Sequence, residues 1–421
     1  MKSLSIFTST RRQRVHRFVV AQAVVHQQKH VAMRSARPRL STRATASTQR
    51  PAAPPSVHKR VLLAGATGYI GKQLAHVLAE RGHSVVALVR PEKNLPEAVE
   101  HSANAVVRTE LTSGSDSIAD ALRQSSIGPC DAAVSCLATR GGGVDDSWLV
   151  EHDAVLSFAS AARQVCEPRS FVLLSAICVQ RPELEFQRAK LEVERKIPTL
   201  GFSHFASLRP TAYFKSLGAQ IELVQNGWPY IVFGNGYLAS CKPISERDVS
   251  LAMSETIENA PTEQGGSEQI KANAHEEEVE QEILPIGGPG PALSAKAQGE
   301  LLYDKLGVQE EKKRRFVYVP IQIMDAAVAL LSGLSYIVRT PQVRDAAEFA
   351  RIGRYYARES MLVYNQDACQ YEPEETPEYG TDTLGKFYER AIAEGMEGQE
   401  LGEQAVLPSQ RKNKEGAAKK K

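Results

Sequence analysis

The sequence predicts an α/β fold: a doubly wound parallel sheet followed by a smaller C-terminal part. Two observations predict it. Val61-Leu62-Leu63-Ala64 is a short apolar run of buried-strand type that meets Gly65-Ala-Thr-Gly68-Tyr-Ile-Gly71, after which Ile70, Leu74, Val77 and Leu78 share one helical face. The same alternation of apolar run and helical stretch then recurs through Arg209, which is the pattern of repeated βα units.

The elements follow in order. Gly82 ends the first helix, and Ser84–Val89 is the second buried strand. Ala105–Val107 suits a third strand and Asp131–Leu137 a fourth. A helix over 145–164 carries Val150, Ala154 and Ala161; Phe171–Leu174 is a fifth strand, followed by a helix over 183–196 and a strand over 205–209. Ser245-Glu-Arg-Asp248, ahead of Val249 and Leu251, has capping-box form and starts another helix. Residues 261–282 are acidic and nearly devoid of apolar side chains, as expected of a solvated, disordered insertion. Ile321–Leu331, continuing to Val338, is the most apolar helical stretch. A core helix is its first reading, an apolar wall for a flat ligand the second, and a helix at a membrane interface the third. Arg351, Arg354 and Arg358 follow at helical spacing, as an exposed basic face or as partners for an acidic ligand.

Charge is partitioned. Residues 1–79 hold 14 basic residues and no acidic one, residues 80–410 hold 31 basic and 48 acidic, and the last eleven hold six basic and one acidic. An acidic body argues against a nucleic-acid-binding protein. Residues 1–50, rich in Arg, Ser, Thr, Ala and Gln, have the composition of an organelle transit peptide, with 51–58 as a Pro-rich linker. No run is long and apolar enough to span a membrane. The six cysteines lie scattered without a CxxC pair, which gives neither a zinc site nor an iron–sulfur ligand set. No protein metal site is expected.

The glycine turn carries chemistry. Gly65 permits a sharp turn, Gly68 lets backbone amides approach a pyrophosphate, and Gly71 lets helix pack on strand; Ala66, Thr67, Tyr69 and Ile70 complete the loop and first helical turn. At the end of the second strand stands Arg90, where an acidic residue would select NAD; a guanidinium instead suits the 2′-phosphate of NADP. The cofactor expected is therefore NADPH, on a Rossmann fold over 59–250. The loop Thr139-Arg-Gly-Gly-Gly143 leaves the fourth strand on the same edge, as a cover over the cofactor or a plain surface loop.

The GxxGxxG spacing resembles the extended and atypical branches of the short-chain dehydrogenase/reductase superfamily. In that superfamily the fifth strand ends in Ser and the next helix carries Tyr-x-x-x-Lys, both side chains on one helical face. Here Ser175 and Lys190 stand in place, but the tyrosine position is Phe186. A phenyl ring cannot protonate an alkoxide, so routine alcohol–ketone chemistry is disfavoured while Lys190 still orients NADPH.

Leu173-Leu-Ser-Ala-Ile177 and Glu185–Lys190 are joined by Arg209–Ser216, Cys241–Ser245, Leu284–Gly290, Ile352-Gly-Arg-Tyr-Tyr356 and Gly395–Gly402. Together these motifs closely resemble the NADPH-dependent divinyl chlorophyllide 8-vinyl reductase family of plants and algae, from about residue 58 to 404. The resemblance implies reduction of the 8-vinyl group of divinyl chlorophyllide a or divinyl protochlorophyllide a in chlorophyll biosynthesis. It also implies a chloroplast address for 1–50. The remaining chain then reads as a substrate-binding part over 283–404 before a charged tail at 405–421, in a protein of the stroma, either free there or associated peripherally with thylakoid or envelope; the acidic body argues against a basic membrane-docking face. A vinyl group takes hydride at carbon and forms no alkoxide, so the missing phenol is no loss. The proton for the second carbon comes from Tyr213, Ser175 or water. Magnesium, if present, belongs to the substrate. The rival readings are a non-catalytic NADPH-binding regulator or photosystem-assembly factor, and another double-bond reductase acting on phenylpropanoids.

Overall fold

The structure is a computed structural model that describes residues 58–260 and 279–396. The expected address over 1–50, most of the linker after it, most of the acidic insertion and the charged tail lie outside the described residues.

The first six strands are β1 (Arg60–Ala64), β2 (Ser84–Val89), β3 (Ala105–Arg108), β4 (Ala132–Ser135), β5 (Ser170–Leu174) and β6 (His204–Pro210). Short β7 (Tyr230–Phe233) and β8 (Ser240–Cys241) lie outside their sheet, and β9 (Glu280–Ile286) returns to it. The sheet runs β3-β2-β1-β4-β5-β6-β9, parallel throughout. Its order reverses between β1 and β4, the switch point where such sheets hold ligands.

The helices between these strands are α1 (Tyr69–Glu80), α2 (Glu97–Ser102), α3 (Ser115–Gln124), α4 (Val144–Trp148), α5 (Ala154–Val165), α6 (Glu185–Lys196), α7 (Phe214–Leu217), α8 (Ile221–Gln225) and α9 (Glu246–Asn259). Alternate strand residues feed two cores, because successive side chains leave opposite faces. Leu62, Ala64, Val86 and Leu88 pack with Ile118, Leu122, Phe158 and Val193 of α3, α5 and α6. Val61, Leu63, Val85 and Ala87 pack with Leu74 and Leu78 of α1 and with Val249, Met253 and Ile257 of α9. With both faces covered, the strands are apolar at nearly every position rather than alternating.

Beyond β9 come β10 (Leu293–Ser294), α10 (Ala295–Lys305), β11 (Phe316–Val319), α11 (Ile321–Ile337), α12 (Pro341–Arg358), β12 (Val363–Asn365), β13 (Gln370–Glu372) and α13 (Leu384–Glu394). A third core joins Leu302 and Tyr303 of α10 to Phe387 and Tyr388 of α13 and Tyr230 of β7.

Three expectations are corrected. Residues 280–282, expected inside the acidic insertion, begin β9: Glu280, Gln281 and Glu282 sit opposite His204, Phe205 and Ala206 of β6. An edge position lets their outer face stay polar, so composition hid the strand. The single helix expected over 145–164 is interrupted by a π-helical turn, Leu149–Asp153. The apolar helix at 321–338 is not a core helix: among its residues Val328 is the buried one. By contrast, the Ser245 cap is observed, its hydroxyl accepting from the Asp248 amide at 3.0 Å. Position 250, the expected end of the nucleotide-binding part, falls inside α9.

Candidate active site

The glycine turn is backbone packed on backbone. Gly65 has φ +81°, and a Cβ there would lie 2.7 Å from the Cys136 carbonyl; a Cβ on Gly71 would lie 2.1 Å from the Gly65 oxygen. The Gly68 amide donates to that same oxygen at 2.9 Å. α1 begins with no side-chain cap and no acidic residue in its first turn, so its leading N–H groups face an edge suited to an anion. The turn thus fits a dinucleotide pyrophosphate. Ala66 and Ile70 are buried, and Thr67 is half-buried. The Tyr69 hydroxyl donates to Glu246 Oε2 at 2.7 Å, and its ring stands edge-on to Tyr213 at 6.0 Å.

Arg90 leaves the end of β2 beside this turn. Its side chain is 46% exposed, with Nε 3.8 Å from Glu92 Oε1, a loose surface contact. Arg108, ending β3, donates to the carbonyls of Pro91 and Lys93 at 3.1 Å each and fixes the loop that carries Arg90.

Lys190 is buried on α6, and its Nζ lies 2.6 Å from Glu151 Oε2 and 3.2 Å from the Leu174 carbonyl at the end of β5. An ammonium has three N–H donors; the Leu174 carbonyl takes one, and Glu151 is an ion-pair neighbour. Glu151 occupies the π-helical turn, a widening of the helix that is frequent at functional sites. Its other oxygen accepts from the Thr139 amide at 3.0 Å, so one buried carboxylate ties the lysine to the start of the Thr139–Gly143 loop. Phe186 is packed in a small apolar cluster with Ile177, Leu184 and Tyr355.

Ser175 is placed differently from its expected role. Its hydroxyl donates to Glu194 Oε1 at 2.6 Å, the oxygen that also takes Ser207 at 2.7 Å and Arg209 Nε at 3.1 Å. A hydroxyl has one proton, and a buried carboxylate holds this one.

Tyr213 follows β6 and precedes α7. Burial, and after it Cys136, Cys178 and Glu151, raise its phenol far above the ordinary tyrosine range. Burial likewise pushes the Cys136 thiol up to about 12 and the Cys178 thiol up to about 11. All three therefore keep their protons at neutral pH. Tyr356 arrives from α12 and is 48% exposed. Desolvation of its phenol raises it well above the ordinary tyrosine range, with Cys178, Tyr355, Glu151 and Tyr213 as its electrostatic neighbours, so the phenol stands near Tyr213 and Glu151.

α12 also covers the glycine loop. The Val144 amide donates to Asp345 Oδ1 at 2.9 Å, and a Cβ on Gly142 would lie 3.1 Å from Ile352. That loop is thus held by α12 rather than standing as plain surface. Arg351, Arg354 and Arg358 do not make a free basic face: Arg351 pairs with Glu348, Arg354 with Glu183 and Asp325, and Arg358 with Asp325. Sequence reasoning assigned no role to Glu151 or Tyr356. Tyr356 lay within a quoted motif, whereas nothing local in the sequence marks Glu151.

A parallel sheet with an anion-ready glycine turn and a buried lysine beside it defines an NAD(P)H-dependent oxidoreductase of the short-chain dehydrogenase/reductase type. Residues 65–198 match a family model described as NAD(P)H-binding. The chain belongs to the divinyl chlorophyllide a 8-vinyl-reductase family. It is 48% identical over 361 residues to the chloroplastic enzyme of that name from Oryza sativa subsp. indica, covering 82% of each chain. The Arabidopsis thaliana relative is 41% identical over 355 residues, 82% of this chain and 79% of that one. Among solved structures, a putative epimerase from Burkholderia cenocepacia J2315 aligns with TM-score 0.52 at 15% identity over 80% of this chain and 97% of that one. The leucoanthocyanidin reductase–NADPH complex from Vitis vinifera aligns with TM-score 0.51 at 15% identity, over 79% and 99%. These two show the shared fold.

Proposed function

We infer that this chain reduces the 8-vinyl group of divinyl chlorophyllide a, or of divinyl protochlorophyllide a, to an ethyl group with NADPH. The observation that carries the reading beyond family membership is the pairing of a retained Lys190 with Glu151 where Phe186 replaces the phenol. Such a site holds the cofactor but lacks the group that protonates an alkoxide. Its relatives are named chloroplastic, and the chain works in that organelle. The stromal side is our finer reading.

Bound NADPH supplies a hydride to a vinyl carbon. In our reading, the amides of Ala66 to Gly71 receive the pyrophosphate and Arg90 receives the 2′-phosphate. A Lys190 N–H is directed to the nicotinamide ribose. Glu151 gives that buried lysine an opposite charge 2.6 Å away, since burying an unpaired ammonium is costly. Hydride addition leaves charge spread into the macrocycle, and one proton at the neighbouring carbon completes the ethyl group. Tyr213 is the better placed donor than Ser175, because the Ser175 hydroxyl is already committed to Glu194. α12 and the loop it covers exclude water above the site. Residues 59–260 with β9 form the nucleotide-binding part, and the rest of 283–404 the substrate part.

The test follows the Soret band of divinyl chlorophyllide a with NADPH. A blue shift is expected, abolished by Lys190→Ala and weakened with a raised NADPH KM by Glu151→Gln. No shift despite tight NADPH binding would overturn the reading in favour of a non-catalytic regulator.

A further inference from the structure

α11 is built inside out. Its polar groups turn inward: Asp325 meets Arg354 and Arg358 of α12, and the Ser332 hydroxyl accepts from Arg351 at 3.1 Å. Met324 and Val328 also face inward, since Met324 lies against Gly353 of α12 and Val328 is buried. The opposite stripe is apolar and bare: Ile323 is 58% exposed, Leu330 72%, Leu334 41% and Ile337 79%. Water-facing helices normally show the reverse arrangement. Tyr336 and Val338 extend the bare surface to the turn that leads into α12.

Charge narrows the choice of partner. From Ala326 to Arg344 the chain has no acidic residue and two basic ones, Arg339 and Arg344, although residues 80–410 as a whole carry 31 basic against 48 acidic. Arg344 is paired with Asp145. Arg339 lies 5.8 Å over the Tyr336 ring and donates weakly to the Tyr336 carbonyl, with no carboxylate partner among the described residues. An acidic protein surface is repelled by an anionic membrane, but this stretch is apolar, aromatic and cationic together, the composition that anchors at headgroups. A second copy of the same patch would offer Arg339 no carboxylate.

We propose that the outer face of α11 and the turn after it dock on an anionic lipid bilayer. The helix has 17 residues and is about 25 Å long, short of the ~30 Å hydrocarbon core. No helix among the described residues is long and apolar enough to cross a membrane. α11 therefore lies along the interface with its stripe toward the acyl chains. Because α12 carries Tyr356 and covers the glycine loop, docking brings that side of the site beside the bilayer. This purpose rests on the proposed reaction with an apolar macrocycle; the docking itself does not.

The experiment uses the full chain with Gly333→Cys in a Cys369→Ser background, labelled with a polarity-sensitive dye. Position 333 has open space around it, so the probe is accommodated. Because the first 50 residues are themselves basic, the dye decides where lipid touches. Vesicles of phosphatidylglycerol in phosphatidylcholine should shift its emission to the blue and capture at least tenfold more protein than phosphatidylcholine alone. Leu330→Glu with Ile337→Glu should abolish the dye shift, and Arg339→Glu should weaken capture severalfold. NADPH affinity, measured separately, should be unchanged in all variants and certifies folding whether or not the proposed reduction is observed. An unshifted dye with anionic vesicles would overturn the proposal. So would a doubled solution mass that the α11 substitutions return to a monomer, which would assign the face to a second copy.

Discussion

Helices α1 and α11 are both rich in apolar residues, yet they meet opposite fates. α1 buries Ile70, Gly71, Leu74, Ala75, Val77 and Leu78 against the sheet, whereas α11 buries only Val328 and turns its apolar stripe outward. The contrast teaches that apolar content announces a helix that needs a partner without saying whether the chain itself provides one. α1 is sandwiched between the sheet and α9, while α11 rests on α12 and meets it through Asp325 and Ser332 as well as Met324.

The largest expected effect tests the tight end of this comparison. Gly71→Ala drives a Cβ to 2.1 Å from the Gly65 carbonyl and must displace the turn. NADPH affinity, followed by fluorescence titration, should fall by on the order of 100-fold or the protein should not fold. Gly333→Ala in α11 meets nothing and should stabilise by up to ~1 kcal/mol through helix propensity. Equal effects at the two glycines would erase the distinction.

Next in size is a matched pair of leucines. Leu74→Ala removes a fully buried side chain and should cost about 2–5 kcal/mol in denaturant unfolding. Leu330→Ala removes one that is 72% exposed and should stay within about 0.5 kcal/mol. A large loss at Leu330 would mean that its stripe is already covered in solution.

The smallest effect refines the nucleotide end alone. Arg90→Glu should raise the KM for NADPH by roughly tenfold, about 1.4 kcal/mol, and leave the KM for NADH little changed or improved. An unaltered preference would remove Arg90 from the 2′-phosphate site.

Much of the fold was legible. Each expected strand of the nucleotide half lies within a residue or two of an observed one, because strands covered on both faces read as continuous apolar runs. β9 was missed because its first residues, Glu280 to Glu282, are polar, and pairing with β6 is a long-range event. In the site, Gly65, Gly68, Gly71, Arg90 and Lys190 fall along one edge of the sheet as read. Ser175 does not present a free hydroxyl there, for its O–H donates to Glu194. Glu151 escaped notice because its meaning is a contact with Lys190 made across two helices and a π-helical turn, a relation no local spacing records.

The sequence by itself determined the glycine turn, the parallel strands and the family. Those features depend on backbone freedom and on apolar periodicity, both properties of neighbouring residues. Only the tertiary structure decided which carboxylate would answer Lys190, where the Ser175 proton would go and which side of α11 would face outward. A buried charge must find an opposite charge, and a helix face is inner or outer only relative to what packs on it. Those partners come from distant stretches of chain, brought together by folding.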